Sequence, residues 1–185
     1  ELTDLTRRLV AIESTNPDLV PDGVGEAEIA AFVAAWLEDA GLEVDLYEAA
    51  PGRPNVVAVA RGTGGGRSLL LNAHMDTVGV AGVESPFMPV VHDGRLHGRG
   101  AGDMKGSLAA SMLVGAAAVR ERFRGDVIVA AVAIAALWRA YPSLAAQHIV
   151  GHSDVAPGRK SDPGIAFDWP LLRTLVHYDL EPGGA

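Results

Sequence analysis

The chain contains no cysteine. That excludes disulfides, thiolate metal sites, iron–sulfur clusters and a cysteine nucleophile, and it fits a reducing, cytoplasmic setting. Long apolar runs are missing too. The longest uncharged one, Val127 to Trp138, falls short of the roughly 20 residues a bilayer-spanning helix needs. Excess positive charge is also lacking: 15 Lys and Arg stand against 23 Asp and Glu, a net charge of −8. An acidic chain is a poor partner for nucleic acid or an anionic membrane, so neither is expected. The first residues, ELTDLTRRLV, have no basic stretch followed by an apolar core, so no export signal is read there. The chain opens on Glu1, which reads as a trimmed or partial sequence.

What is present describes a globular α/β chain. Of its 185 residues 49% are hydrophobic and 21% charged. Leu2, Leu5, Leu9 and Ile12 recur at helical spacing, and Asn16-Pro17 interrupts that pattern. Glu26 to Ala40 carries Ile29, Phe32, Val33 and Leu37 on one face, closed by Gly41. Leu42–Tyr47 alternates like a strand, and Asn55–Ala60, Ser68–Asn72 and Asp126–Ala133 read as buried strands, with Ser68–Asn72 central. Val90–Arg99 predicts a hairpin turning at Asp93-Gly94. Asp103–Arg120 predicts a long helix. The expected fold is therefore α/β: layered helices around a mixed, mostly parallel sheet, with an irregular C-terminal segment from residue 134.

Two clusters carry chemistry. In the first, LLLNAHMDTV, a buried strand ends and His74 follows at its carboxyl edge, where open α/β sheets place ligands. His74 and Asp76 share a face in extended chain, which makes them a candidate metal ligand and the carboxylate that orients it, or else a solvated pair. Further on, GRGAGDMKG sets Asp103 behind a glycine-rich loop. Taken alone, Asp103 reads as an N-cap or first-turn acid of the long helix, or as a carboxylate able to bind or bridge metal ions. In the second cluster, GHSDVAPGRKSDPG, His152 and Asp162 lie ten residues apart across a loop containing Pro157 and Gly158. They are candidate metal ligands, with Lys160 beside them as a cation for an oxyanion; the alternative is a surface loop of neutralised charges.

The pattern AHMDTV followed by SPFMPVVHDGRLHGRGAGDMKGSLAA resembles the zinc metallopeptidase family of carboxypeptidase G, acetylornithine deacetylase and succinyl-diaminopimelate desuccinylase, over about residues 1–133. The resemblance implies a mixed α/β catalytic domain holding one or two divalent ions, zinc or cobalt. His74 would be a ligand, Asp76 its orienting residue and Asp103 a carboxylate bridging the metals. The implied reaction is hydrolysis of an amide in a small acyl-amino acid or peptide. One departure stands out: where that family carries an Asp-Glu-Glu run with its general base, this chain has Ile134, Ala135 and Ala136. Residues 134–175 resemble instead the C-terminal part of zinc N-acetylmuramoyl-L-alanine amidases. There His152 and Asp162 would be zinc ligands and Lys160 a catalytic-site cation, acting on a muropeptide. The front of one zinc hydrolase thus adjoins the back of another, near residue 133. That leaves three expectations: a peptidase- or deacylase-like hydrolase with an incomplete site, an amidase, or an inactive metal-binding scaffold.

Overall fold

A computed structural model of the chain describes residues 1–17, 19–50 and 52–131. Helix α1 spans Leu2–Ala11 and buries Leu5, Leu9 and Val10. Helix α2 spans Ala27–Asp39 and turns Ile29, Ala30, Val33 and Leu37 inward, the three-and-four spacing read from the sequence. It ends where glycine is required. Gly41 has φ of 89°, its N–H donates to the Glu38 carbonyl, and the Leu42 N–H donates to that of Leu37. Leu42 then drops into the core, completing a Schellman-type stop.

Strands β1 (Glu43–Ala50) and β2 (Arg53–Ala60) form an antiparallel hairpin. Strand β3 covers Leu69–Asn72; β4 (Val90–His92) and β5 (Arg95–His97) make a separate two-stranded hairpin. Its turn is the expected Asp93-Gly94, with φ of 50° and 71°, the type I′ signature. Helix α3 spans Gly106–Arg120, and strand β6 spans Val127–Ala131. The main sheet runs β1-β2-β6-β3.

The layered α/β organisation and the mixed sheet match expectation, but among the described residues antiparallel pairings outnumber parallel ones, where a mostly parallel sheet is expected. Among the described residues β3 pairs with β6 in parallel, while β1–β2 and β2–β6 are antiparallel. Only two residues separate β1 from β2 in the sequence, a connection too short for a parallel crossover. The sequence pattern of β3 suggests a central strand. Among the described residues it instead lies last in the sheet order, with Leu69 nearly half exposed. The strands β2 and β6 hold the centre, because VVAVA and VIVAA carry no side chain that needs water. Leu9, Ile29, Val33, Leu37, Leu108 and Met112 pack with Val56, Ala58, Val127 and Val129 in one apolar core between the helices and the sheet. Among the described residues no helix is long and apolar enough to cross a membrane. The segment 134–185, with its expected boundary near 133, lies outside the described residues.

Candidate metal centre

The site is assembled from three pieces of chain. The first is the loop that leaves β3. The Ala73 N–H still donates to the Ala130 carbonyl, so the backbone stays extended beyond the strand. Ala73 and Met75 point into the core. Period-two alternation therefore turns His74 and Asp76 outward together, as the sequence pattern predicts. Their side chains are 45% and 26% exposed.

The second piece is the glycine-rich loop before α3. Gly100 has φ of 78°, and a Cβ there would lie 2.7 Å from Thr77 Cγ2. Only glycine lets this loop close onto the loop that carries His74. The long helix starts later than expected, at Gly106. Asp103 has extended angles (φ −137°, ψ 93°), and the Asp103–Met104 peptide is cis. Asp103 is thus neither an N-cap nor a first-turn acid of α3. Its carboxylate meets His74 instead: His74 Nε2 lies 3.2 Å from Asp103 Oδ1.

The third piece is residues 12–16 after α1, where the sequence pattern places Ile12 on the helical stripe and a break at Asn16-Pro17. It is a strap across the His74 loop. Ser14 Oγ donates to the Met75 carbonyl at 2.7 Å. The Thr77 N–H donates to the Ser14 carbonyl, and the Asn16 N–H to that of Thr77. Asn16 Nδ2 donates to Asp76 Oδ2 at 2.7 Å. Lys105, fully buried, reaches back to the same segment and donates from Nζ to the Ile12 carbonyl at 2.7 Å.

The electrostatics follow from this packing. His74 Nδ1 lies 3.1 Å from Asp76 Oδ1 and 3.0 Å from the Asp76 carbonyl, so its N–H donates to both. The Asp76 hydrogen bond, with Asp103 adding to it against partial burial, raises the His74 pKa to about 9. The same bond, helped by Asn16, lowers Asp76 to about 2. Burial pulls Lys105 down to about 8, with Glu13 opposing.

One imidazole thus sits between two carboxylates. Asp76 holds the proton on Nδ1, and Nε2 and Asp103 Oδ1 face each other at 3.2 Å. Two donors bound tetrahedrally to one zinc at about 2.1 Å would be about 3.4 Å apart, so this pair fits a shared cation. A third protein ligand does not join them: among the described residues no group of three or more His, Cys, Asp or Glu side chains is arranged to hold a metal. His152, Lys160 and Asp162 lie outside the described residues. His97, next to the glycine loop in sequence, sits on β5 with its ring 6.5 Å from that of His92.

Residues 70–133, which include all three clustered side chains, match the model of Peptidase family M20/M25/M40. This part of the chain is M20-like. It is 38% identical over 118 residues to an N-formyl-4-amino-5-aminomethyl-2-methylpyrimidine deformylase of Halalkalibacterium halodurans, covering 60% of this chain and 27% of the relative. A succinyl-diaminopimelate desuccinylase of Leptothrix cholodnii is 36% identical over 116 residues, with 59% and 28% covered. The fold is shared with an M20 family metallo-carboxypeptidase of Sulfolobus solfataricus (TM-score 0.61, 21% identity, 70% of this chain and 30% of that one). The chain spans under a third of each of these proteins. These comparisons do not show the amidase resemblance of residues 134–175.

Proposed function

We propose that the chain carries part of the metal centre of a divalent-metal amide hydrolase of the M20 type, with zinc as the metal. His74 and Asp103 are ligands, and Asp76 orients His74. The observation that carries this reading is the imidazole held between two carboxylates at 3.1 and 3.2 Å, inside the matched segment. Holding the proton on Nδ1 leaves Nε2 free to bind a cation once its own proton is lost. A cation held there would act as a Lewis acid on an amide carbonyl. Asp76 remains ionised at neutral pH and so accepts from Nδ1–H throughout. The two named relatives remove a formyl and a succinyl group, which points to a small N-acyl amine, acyl-amino acid or peptide as substrate.

The reading includes incompleteness. Ile134, Ala135 and Ala136 stand where the resemblance calls for an acidic run that supplies the general base. A missing base forfeits a factor of about 10²–10⁴ in rate. The expected result of a zinc titration, read by calorimetry beside an assay on N-acyl amino acids, is uptake without turnover. Uptake should be lost in His74→Ala and in Asp103→Ala. Zinc uptake indifferent to both changes would refute the metal assignment. Turnover that disappears in His74→Ala would refute the incompleteness.

A further inference from the structure

We propose that Asn16 is a positioning residue for the metal centre: through Asp76 it fixes the imidazole of His74 with Nε2 directed at the cation site. The proposal rests on the metal reading above and extends it to a residue from a distant part of the chain.

The geometry forms a relay. Asn16 Nδ2 donates to Asp76 Oδ2 at 2.7 Å, which leaves Oδ1 of the same carboxylate facing His74 Nδ1 at 3.1 Å. On the far side of the ring, Nε2 meets Asp103. A carboxylate on a loop can rotate about its last torsion, and its value as an orienting group falls when it does. Asn16 can stop that rotation because its own backbone is pinned. Its N–H donates to the Thr77 carbonyl at 2.9 Å, and its carbonyl accepts from the Leu19 and Val20 N–H groups at 3.1 and 3.0 Å. Asn16 is also buried, so water competes little for the Asp76 oxygen it holds. Ser14 and Thr77 supply the main-chain frame, and Asn16 makes the strap's side-chain contact with the Asp76 carboxylate.

Partners of this outer kind change metal affinity by about 10–100-fold when removed. The test uses the full chain as wild type, Asn16→Ala, Asp76→Ala and the double variant. Nitrogen and proton NMR of the metal-free protein reads the exchange protection of the His74 Nδ1–H. Competition with a chelator reads the zinc affinity. Asn16→Ala should lose the protection and bind zinc about tenfold or more weakly. On the Asp76→Ala background the same change should have no further effect, a result that a merely structural role would not produce. Unchanged protection and affinity in Asn16→Ala, or an equal loss on both backgrounds, would overturn the proposal. If Asn16→Ala does not fold, the isosteric Asn16→Asp is read in the same way; failure of both to fold also overturns it, since a residue that only positions is dispensable to folding. A wild type that takes up no zinc refutes the metal reading instead, and the Nδ1–H signal then decides the role of Asn16 alone.

Discussion

The two loops that meet at the candidate metal centre reach it by opposite means. The His74 loop continues a strand. Its direction comes from β-alternation, and hydrogen bonds from Ser14, Asn16 and Thr77 hold it in place. The Asp103 loop has no such ladder. It is shaped by left-handed glycine at Gly100, by contact with Thr77, and by a lysine buried at its end. Both loops therefore lean on the same short stretch, residues 12–16: one through backbone pairing, the other through Lys105 and the Ile12 carbonyl. A site built this way links its two candidate ligands, His74 and Asp103, through a segment that is distant from either in sequence. Damage to one anchor should reach the other.

The comparison can be broken by removing those anchors in turn. The largest effect is expected from Lys105→Ala. It empties a fully buried volume and leaves the Ile12 carbonyl without its donor, at a cost of about 2–4 kcal/mol in denaturant unfolding. Lys105→Met fills most of that volume and should cost less. Gly100→Ala should come next, at about 2 kcal/mol, because the residue must keep a positive φ and its Cβ meets Thr77. The same variant should weaken zinc binding, since Thr77 adjoins Asp76. Ser14→Ala removes one hydrogen bond and should cost about 1 kcal/mol.

The sharpest contrast lies in pH. The His74 pKa rises from the ordinary 6.5 to about 9 in the folded protein, so its favourable contribution is complete below pH 6.5 and is lost as pH rises through 9. Lys105 behaves in the opposite sense. With a folded pKa of about 8 against 10.5, its ammonium is disfavoured in the folded state, and stability recovers as pH climbs from 8 towards 10.5. Unfolding measured from pH 6 to 10.5 in the metal-free chain should therefore lose its falling limb in His74→Gln and its rising limb in Lys105→Met. Profiles indistinguishable from wild type would show that neither side chain is held as described.

Much of the fold was legible. The spacing in α2, the stop at Gly41, the Asp93-Gly94 turn and the apolar strands β2 and β6 are local patterns, and local sterics with burial decide them. At the site, the shared orientation of His74 and Asp76 was legible for the same reason. Asp103 was only half legible. Its glycine-rich approach signals a special loop, but a carboxylate ahead of a helical run looks like a cap, and only the tertiary structure shows it facing His74. Ser14, Asn16 and Lys105 gave no such signal. Serine and asparagine before a proline look like an ordinary helix break, and a lone lysine looks solvated.

What the sequence by itself determined is which stretches coil, which extend, and which face of each is apolar, because those depend on neighbours within a few residues. Only the tertiary structure decided that Asn16 would hold Asp76, Ser14 the Met75 carbonyl, and Lys105 that of Ile12, pairs separated by 60, 61 and 93 positions. Hydrogen bonds between such distant groups leave no periodicity in the chain. They exist only once burial has excluded the water that would otherwise satisfy the same donors and acceptors.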